Sequence, residues 1–341
     1  MTADSTSQSP GPIDAVILWV NGSDPPLTEK RNRYLKDIQG SSHPSVNPTR
    51  FSSVNEIRYC VLSIFKFAPF IRNMFIVTDG QDPNLYEDIK TLFPERLNSF
   101  RIVDHKEIFR GYEKYLPTFN SLSIESMIWR IKGLSDNFIY FNDDLFLIRD
   151  HQPEDWFRND NPVLRGKWRP APLHKIILNS IRKAVNKYLL NNADFQPTAS
   201  FHMGQWNSAR MLGFRCRYFT NRHTPHPVGR KAIEDFFDHN KQSLERNISF
   251  RFRNWSQFTV MSLSNHLQIL NGNNFLASPY LAYLNPYNRP DDYTDNKLSF
   301  CETNPGIKVM CVQSLEMCRK EEIEKIFEWL DKILTNPSDR S

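Results

Sequence analysis

Ten residues, FIYFNDDLFL from Phe138 to Leu147, set Asn142, Asp143 and Asp144 inside an otherwise apolar run. An isolated ionised carboxylate in an apolar setting is strongly destabilised. Two adjacent ones need a cation, a ring of donors, or open water at a strand end. Paired carboxylates at the end of a buried strand suit Mg²⁺ or Mn²⁺, which bridges a substrate's phosphates. The competing reading has one Asp capping the next turn and the other solvated. The second half of the chain carries the opposite charge: Arg222, Arg230, Lys231, Arg251 and Arg253 lie close in sequence to His223 and His226 of an HTPH turn. Arg binds phosphate oxygens bidentately, and His exchanges a proton near neutral pH. A metal, a diphosphate, Arg clamps and a histidine are the parts of a phosphoryl-transfer site.

These residues need a frame. Residues 1–12 read as a disordered lead-in. IDAVILWV (Ile13 to Val20) is short, apolar and β-branched, which predicts a buried strand ending in the turn cluster NGSDP. Ser53 to Pro69 has helical spacing, with Ile57, Cys60, Val61, Ile64 and Phe65 on one face, Ser53 or Asn55 as cap and Pro69 as terminator. Asn73 to Pro83 predicts a second strand ending at Asp79-Gly80-Gln81. Phe100 to Phe109 predicts a third, with Asp104 and His105 at its end. Leu122 to Leu134 predicts a helix closing near Gly133, and Phe138 to Leu147 a fourth strand. Alternating strands and helices predict an α/β fold: a mainly parallel, Rossmann-like sheet with helices on both faces, followed by an α-rich second half. Ligands of such sheets sit beyond the carboxyl ends of the strands. Asp143 and Asp144 should therefore share one edge with Asn21, Asp24, Asp79 and Gln81.

The expected organisation is a nucleotide-sugar-binding half over 13–150, a basic helical insertion over 151–200, and a second half over 201–341 that completes the site and ends in an amphipathic helix from Glu321 to Asn336. The insertion holds a basic amphipathic segment, Pro172 to Phe195. Ile176, Ile177, Ile181, Val185 and Leu189 form one side, with Lys175, Arg182, Lys183 and Lys187 among the polar positions. It reads either as a contact for a membrane surface or polyanionic acceptor, or as a helix packed on its own domain. Ile307 to Ser314 predicts a late strand.

Composition sets the outer limits. The 341 residues hold 25 Phe and a net charge of +5, which excludes a disordered chain and suits anionic partners. No zinc-finger or RNA-binding signature points to nucleic acid. The five cysteines are widely spaced without a CxxC motif, as expected of reduced thiols in a cytoplasmic protein. The polar start, MTADSTSQSPGP, lacks a signal-peptide core, and no apolar run reaches membrane-spanning length. The expected location is cytoplasmic, with peripheral contact at the inner face of a membrane.

Three blocks carry a resemblance: IDAVILWVNGSDP; Arg50 to Pro83, RFSSVNEIRYCVLSIFKFAPFIRNMFIVTDGQDP; and Leu116 to Leu147, LPTFNSLSIESMIWRIKGLSDNFIYFNDDLFL. The chain resembles the Stealth family of sugar-1-phosphate transferases, which includes capsular and cell-wall polysaccharide phosphotransferases and the catalytic part of animal N-acetylglucosamine-1-phosphotransferase. HTPHPVGR and FRFRN resemble later family elements. The resemblance implies transfer of a hexose- or N-acetylhexosamine-1-phosphate from a UDP-sugar to a hydroxyl of a poly- or oligosaccharide acceptor, with release of UMP. It implies that Asn21, Gly22 and Asp24 meet the nucleotide or diphosphate, that Arg58, Asp79, Asn120 and Arg130 line the site, and that Asn142, Asp143 and Asp144 serve donor or metal. His226, with His223 behind it, is the expected general base, and Arg230 and Arg253 the expected stabilisers of the transferring phosphoryl group. The family's fourth region usually ends in Cys-x-Asn-Asp. Here MCVQS puts Gln313 and Ser314 at those positions, which leaves open a glycosyltransferase that releases UDP and an inactive polysaccharide-binding relative.

Overall fold

The computed structural model describes residues 9–35, 54–192 and 195–335. β1 (Ile13–Leu18) leads through α1 (Pro25–Leu35) and α2 (Glu56–Phe67) to β2 (Ile71–Thr78), α3 (Tyr86–Leu92) and β3 (Phe100–Asp104). The short α4 (His105–Ile108) and α5 (Ser121–Glu125) precede β4 (Asn137–Asn142) and β5 (Leu145–Leu147). Then come β6 (Phe157–Arg158), β7 (Asn161–Pro162), β8 (Gly166–Pro170), α6 (Leu173–Tyr188), α7 (Phe201–Met211), β9 (Arg217–Asn221) and β10 (His226–Gly229). The remainder is helical apart from two strands: α8 (Arg230–His239), α9 (Lys241–Ile248), α10 (Val260–Leu270), β11 (Leu281–Leu284), α11 (Tyr293–Thr303), β12 (Val309–Val312) and α12 (Lys320–Thr335).

The central sheet has the order β10-β4-β1-β2-β3. β1 to β4 are parallel and β10 runs against them. Helices cover both faces, as expected. Ile17, Ile76 and Phe141 pack towards α2 and α12. Val16, Phe75 and Tyr140 pack towards α8, α9 and α10 on the other side. Apolar side chains on both faces explain why these strands read as near-continuous runs rather than alternations. α2 is buried almost all round, because Tyr59 stacks on Phe327 of α12 at 4.4 Å while its other sides face the sheet. Its N-cap residue Asn55 has φ 75° and makes no side-chain cap bond; the Glu56 carboxylate accepts the Val54 N–H instead, at 2.6 Å. The alternative cap, Ser53, lies outside the described residues.

Two expected elements take a different form. Phe138 to Leu147 is not one strand: the chain turns at Asp143 and Asp144, and β5 joins a second sheet of order β11-β12-β5, antiparallel to β12. Leu122 to Leu134 is not one helix. After α5 the chain tightens into a 3₁₀ turn at Ile128–Arg130, and Met127, Ile128, Ile131 and Leu134 are all buried. The HTPH turn also gives way to strand at His226. All five cysteines are unpaired. Among the described residues no helix is long and apolar enough to cross a membrane.

Candidate active site

Parallel pairing puts the carboxyl ends of four strands on one edge. Leu18 lies opposite Asn142 and Val77, and Thr78 lies opposite Asp104. The loops that leave these ends are bound to each other. Gln81 Nε2 donates to the Asn21 carbonyl at 2.9 Å and to Asp24 Oδ2 at 3.0 Å, while the Asn21 N–H donates to Gln81 Oε1 at 3.0 Å. Gly22 gives its carbonyl to the Thr28 hydroxyl, which ties the loop to α1. Lys30 Nζ lies 2.6 Å from Asp79 Oδ2. Behind them His105 is buried, and burial holds its pKa down to about 4.

The densest chemistry is at the corner between the two sheets. His223 Nε2 lies 2.9 and 3.0 Å from the two Asp144 carboxylate oxygens. Asn142 Nδ2 approaches the same imidazole at 3.3 Å, and Asn142 Oδ1 accepts the Tyr140 hydroxyl at 2.7 Å. Burial would lower the His223 pKa, but the Asp144 carboxylate outweighs it and the net shift is upward. Asp143 is pushed well above the carboxylate range by burial and then by the charges of Glu56 and Asp144. Crowded carboxylates of this kind form a hard oxygen donor set that a divalent cation would relax. Asp144, His223 and Cys311 also offer one ligand atom each, all within 4.8 Å of one another. Burial and Asp144 push the Cys311 thiol well up, so it stays protonated, and the carboxylate side fits a hard cation better.

The second half delivers part of its expected set. Arg253 Nη2 donates to Ser121 Oγ at 2.7 Å, and its charge acts on Glu125 and His223. Asn120 makes this possible. It is fully buried, caps α5, and its Nδ2 donates to the Phe250 carbonyl and to Gln257 Oε1, both at 2.9 Å. Asn120 therefore fixes the segment that carries Arg253 rather than lining the site itself. The order of the histidines is reversed. His226 sits on β10 opposite Tyr140, beside Asn221 Nδ2, with its pKa lowered to about 3 by burial; His223 is the one that meets the acids.

Three arginines lie elsewhere. Arg230 pairs with Asp136 at 2.6 Å and Glu234 at 2.9 Å. Because β10 is antiparallel to β4, it emerges at the start of β4, the edge opposite Asp143. Arg58 pairs with Asp88 at 2.9 Å and Asp331 at 3.1 Å, joining α2 to α3 and α12. Arg130 donates to the carbonyls of Ile108 and Arg110 at 2.7 and 2.6 Å, which pins the loop after α4. A surface cavity of about 320 Å³ on α11, lined by Pro290, Asp292, Tyr293, Asn296, Lys297 and Phe300, shares no residue with the strand-end cluster.

Residues 11–39 match Stealth protein conserved region 1 and residues 50–164 match Stealth protein conserved region 2. An exopolysaccharide phosphotransferase of Streptomyces coelicolor is 42% identical over 146 residues, 43% of this chain and 25% of that protein. A capsular polysaccharide phosphotransferase of Actinobacillus pleuropneumoniae is 40% identical over 194 residues, 53% of this chain and 51% of that protein. The chain thus spans a quarter to a half of the length of these two relatives. A capsular polysaccharide phosphotransferase of Haemophilus influenzae is 31% identical over 287 residues, 82% of this chain and 72% of that protein. The chain belongs to the Stealth family. Among solved structures, the galactosyltransferase LgtC in complex with donor and acceptor sugar analogs aligns over 95% of this chain and 98% of that one, at 11% identity and a TM-score of 0.40.

The Stealth match refines two expectations. The block Leu116 to Leu147, expected as a separate third region, falls inside the region 2 match. The MCVQS segment lies beside the acidic corner: the Val312 N–H donates to the Asp144 carbonyl at 3.0 Å, and Cys311 Sγ lies 3.8 Å from Asp144 Oδ2. Gln313 accepts the Tyr283 hydroxyl. Sequence reasoning missed Glu125. Burial pushes it up to about 7, against the charge of Arg253 and hydrogen bonds from Ser121 and Tyr140. It also missed Glu56 and Glu316; the latter is raised by burial and, more weakly, by Asp144. Glu56 and Glu125 fall within segments that read as helices, where a carboxylate gives no sequence signal of its own.

Proposed function

We propose that this Stealth protein transfers a hexose- or N-acetylhexosamine-1-phosphate from a UDP-sugar to a hydroxyl of a poly- or oligosaccharide acceptor. The acceptor oxygen attacks the phosphorus nearer the sugar, the bond from that phosphorus to the UMP oxygen breaks, and the acceptor proton passes to the protein. The sugar–oxygen bond stays intact. The observation that carries this reading is His223 held against Asp144 at a corner shared with Asp143 and Glu56, within the field of Arg253. His223 takes the proton, Arg253 offsets charge on the transferring phosphoryl group, and the loop of Asn21, Gly22 and Asp24 faces the nucleotide. Asp143 and Asp144 would hold Mg²⁺ or Mn²⁺, which supplies charge neutralisation to the diphosphate. Little covalent work falls to the protein in such a reaction; positioning and electrostatics dominate. The names of the curated relatives support the class of reaction.

The test is nucleotide release from a panel of UDP-sugars, with Mg²⁺ or a chelator and a capsule or cell-wall oligosaccharide acceptor. UMP should appear in a cation- and acceptor-dependent way and fall at least about 100-fold in Asp143→Asn and in His223→Ala. Release of UDP instead would place the chain among glycosyltransferases.

A further inference from the structure

α6 is mounted the wrong way round for a helix of a globular surface. At about 100° per residue, Leu173, Ala184, Ile177, Tyr188, Ile181 and Val185 fall within an arc of roughly 120°. Such an arc normally turns inward. Here the half-buried positions are Lys175, Ile176, Asn179, Lys183 and Asn186, on the opposite side of the helix. Lys183 Nζ sits 4.9 Å from the Trp255 ring, and Ile176 rests on the cluster of Trp206 and Tyr218. The apolar arc lies in solvent: Ile177 is 59%, Ile181 54% and Tyr188 71% exposed. Leu189 and Leu190 extend the exposed surface past the helix end.

The charge around this face has one sign. α6 carries no acidic residue, and Asp194 is the one acid in the sequence between Asp160 and Glu234. Arg182 borders the arc on one side and Lys187 on the other. We infer that α6 lies in the interfacial plane of an anionic lipid bilayer, its apolar arc among the acyl chains and its flanking cations at the headgroup phosphates. A polyanionic polysaccharide would meet the cations and leave the apolar arc in water. A second copy of the chain would cover the arc and bring the same cations together with no carboxylate on the helix to offset them. The strand-end site would then work beside a bilayer, on acceptors presented there. The inference does not depend on turnover.

The experiment is co-sedimentation of the full chain with vesicles of phosphatidylcholine alone and of phosphatidylcholine mixed with phosphatidylglycerol. Binding should favour the anionic vesicles and weaken with salt. Ile177→Asp with Ile181→Asp should weaken it more than about 30-fold, and Arg182→Gln with Lys187→Gln by roughly 10- to 30-fold. Both variants change solvent-facing side chains, so their melting curves should match the parent. Failure to sediment with anionic vesicles would overturn the proposal. So would full binding by the aspartate variant, or a dimer in light scattering that this variant dissolves while its vesicle binding persists.

Discussion

Asp14 and the Asp143–Asp144 pair stand at opposite ends of one sheet. Both lie among strands buried on two faces, yet their surroundings differ. Asp14 is fully buried and accepts from Arg72 Nε at 2.9 Å and Nη2 at 2.7 Å, from the Asn73 N–H at 3.0 Å and from the Ser135 N–H at 2.7 Å. Its charge is answered by donors, so it joins β1, β2 and the approach to β4. At the other end, Asp143 meets the like charges of Glu56 and Asp144. Two carboxylates of one sheet therefore differ in what surrounds them: donors answer Asp14, while other carboxylates crowd Asp143.

The contrast can be broken most forcefully at Asp14. Asp14→Ala removes the acceptor of the buried Ser135 N–H and the half-buried Asn73 N–H and the ion pair of the part-exposed Arg72, and should cost about 2–5 kcal/mol of unfolding free energy, read by urea denaturation. Turnover per folded molecule should be unaffected. Asp143→Asn should leave stability unchanged or slightly raised, since it removes a like charge; a collapse comparable to Asp14→Ala would erase the distinction between the two ends. Glu125 sharpens the comparison through pH. A glutamate titrates near about 4.3 when unfolded and at about 7 in this fold. Between those values the unfolded chain releases its proton while the folded chain keeps it. Stability should therefore fall as pH rises from about 4.3 to about 7, by on the order of 3–4 kcal/mol, and then level off. Glu125→Gln should remove that slope from a pH series of denaturation curves. The smallest effect belongs to Arg58, whose pairs with Asp88 and Asp331 are partly exposed. Arg58→Ala should cost about 1 kcal/mol and leave UMP release within about twofold; a tenfold loss would move Arg58 into the site.

The sheet and the shared edge of its strand-end loops were legible because parallel strands buried on both faces leave long apolar runs, and the polar residues that end them share a direction. The break between β4 and β5 was not legible for the same reason: both pieces are buried, so apolar content continues across a change of sheet. The order of His223 and His226 depended on β10 starting at His226, which a Pro-rich turn concealed. Arg230 was misplaced because nearness in sequence to a histidine says nothing about which end of an antiparallel strand it reaches. For α6, sequence periodicity grouped Ile177, Ile181 and Val185 correctly but counted Ile176 with them, although it packs on the opposite side, and it did not give the direction of the apolar side, which depends on what the polar side packs against.

The corner at Asp143 and Asp144 has a consequence in time. The Asp144 carbonyl is fixed by Val312, and its carboxylate neighbours Cys311, a residue 167 positions later. During synthesis the first four strands can emerge and pair while this corner still lacks one wall. The corner acquires that wall only once β12 has been made, well after all four strands of the parallel sheet.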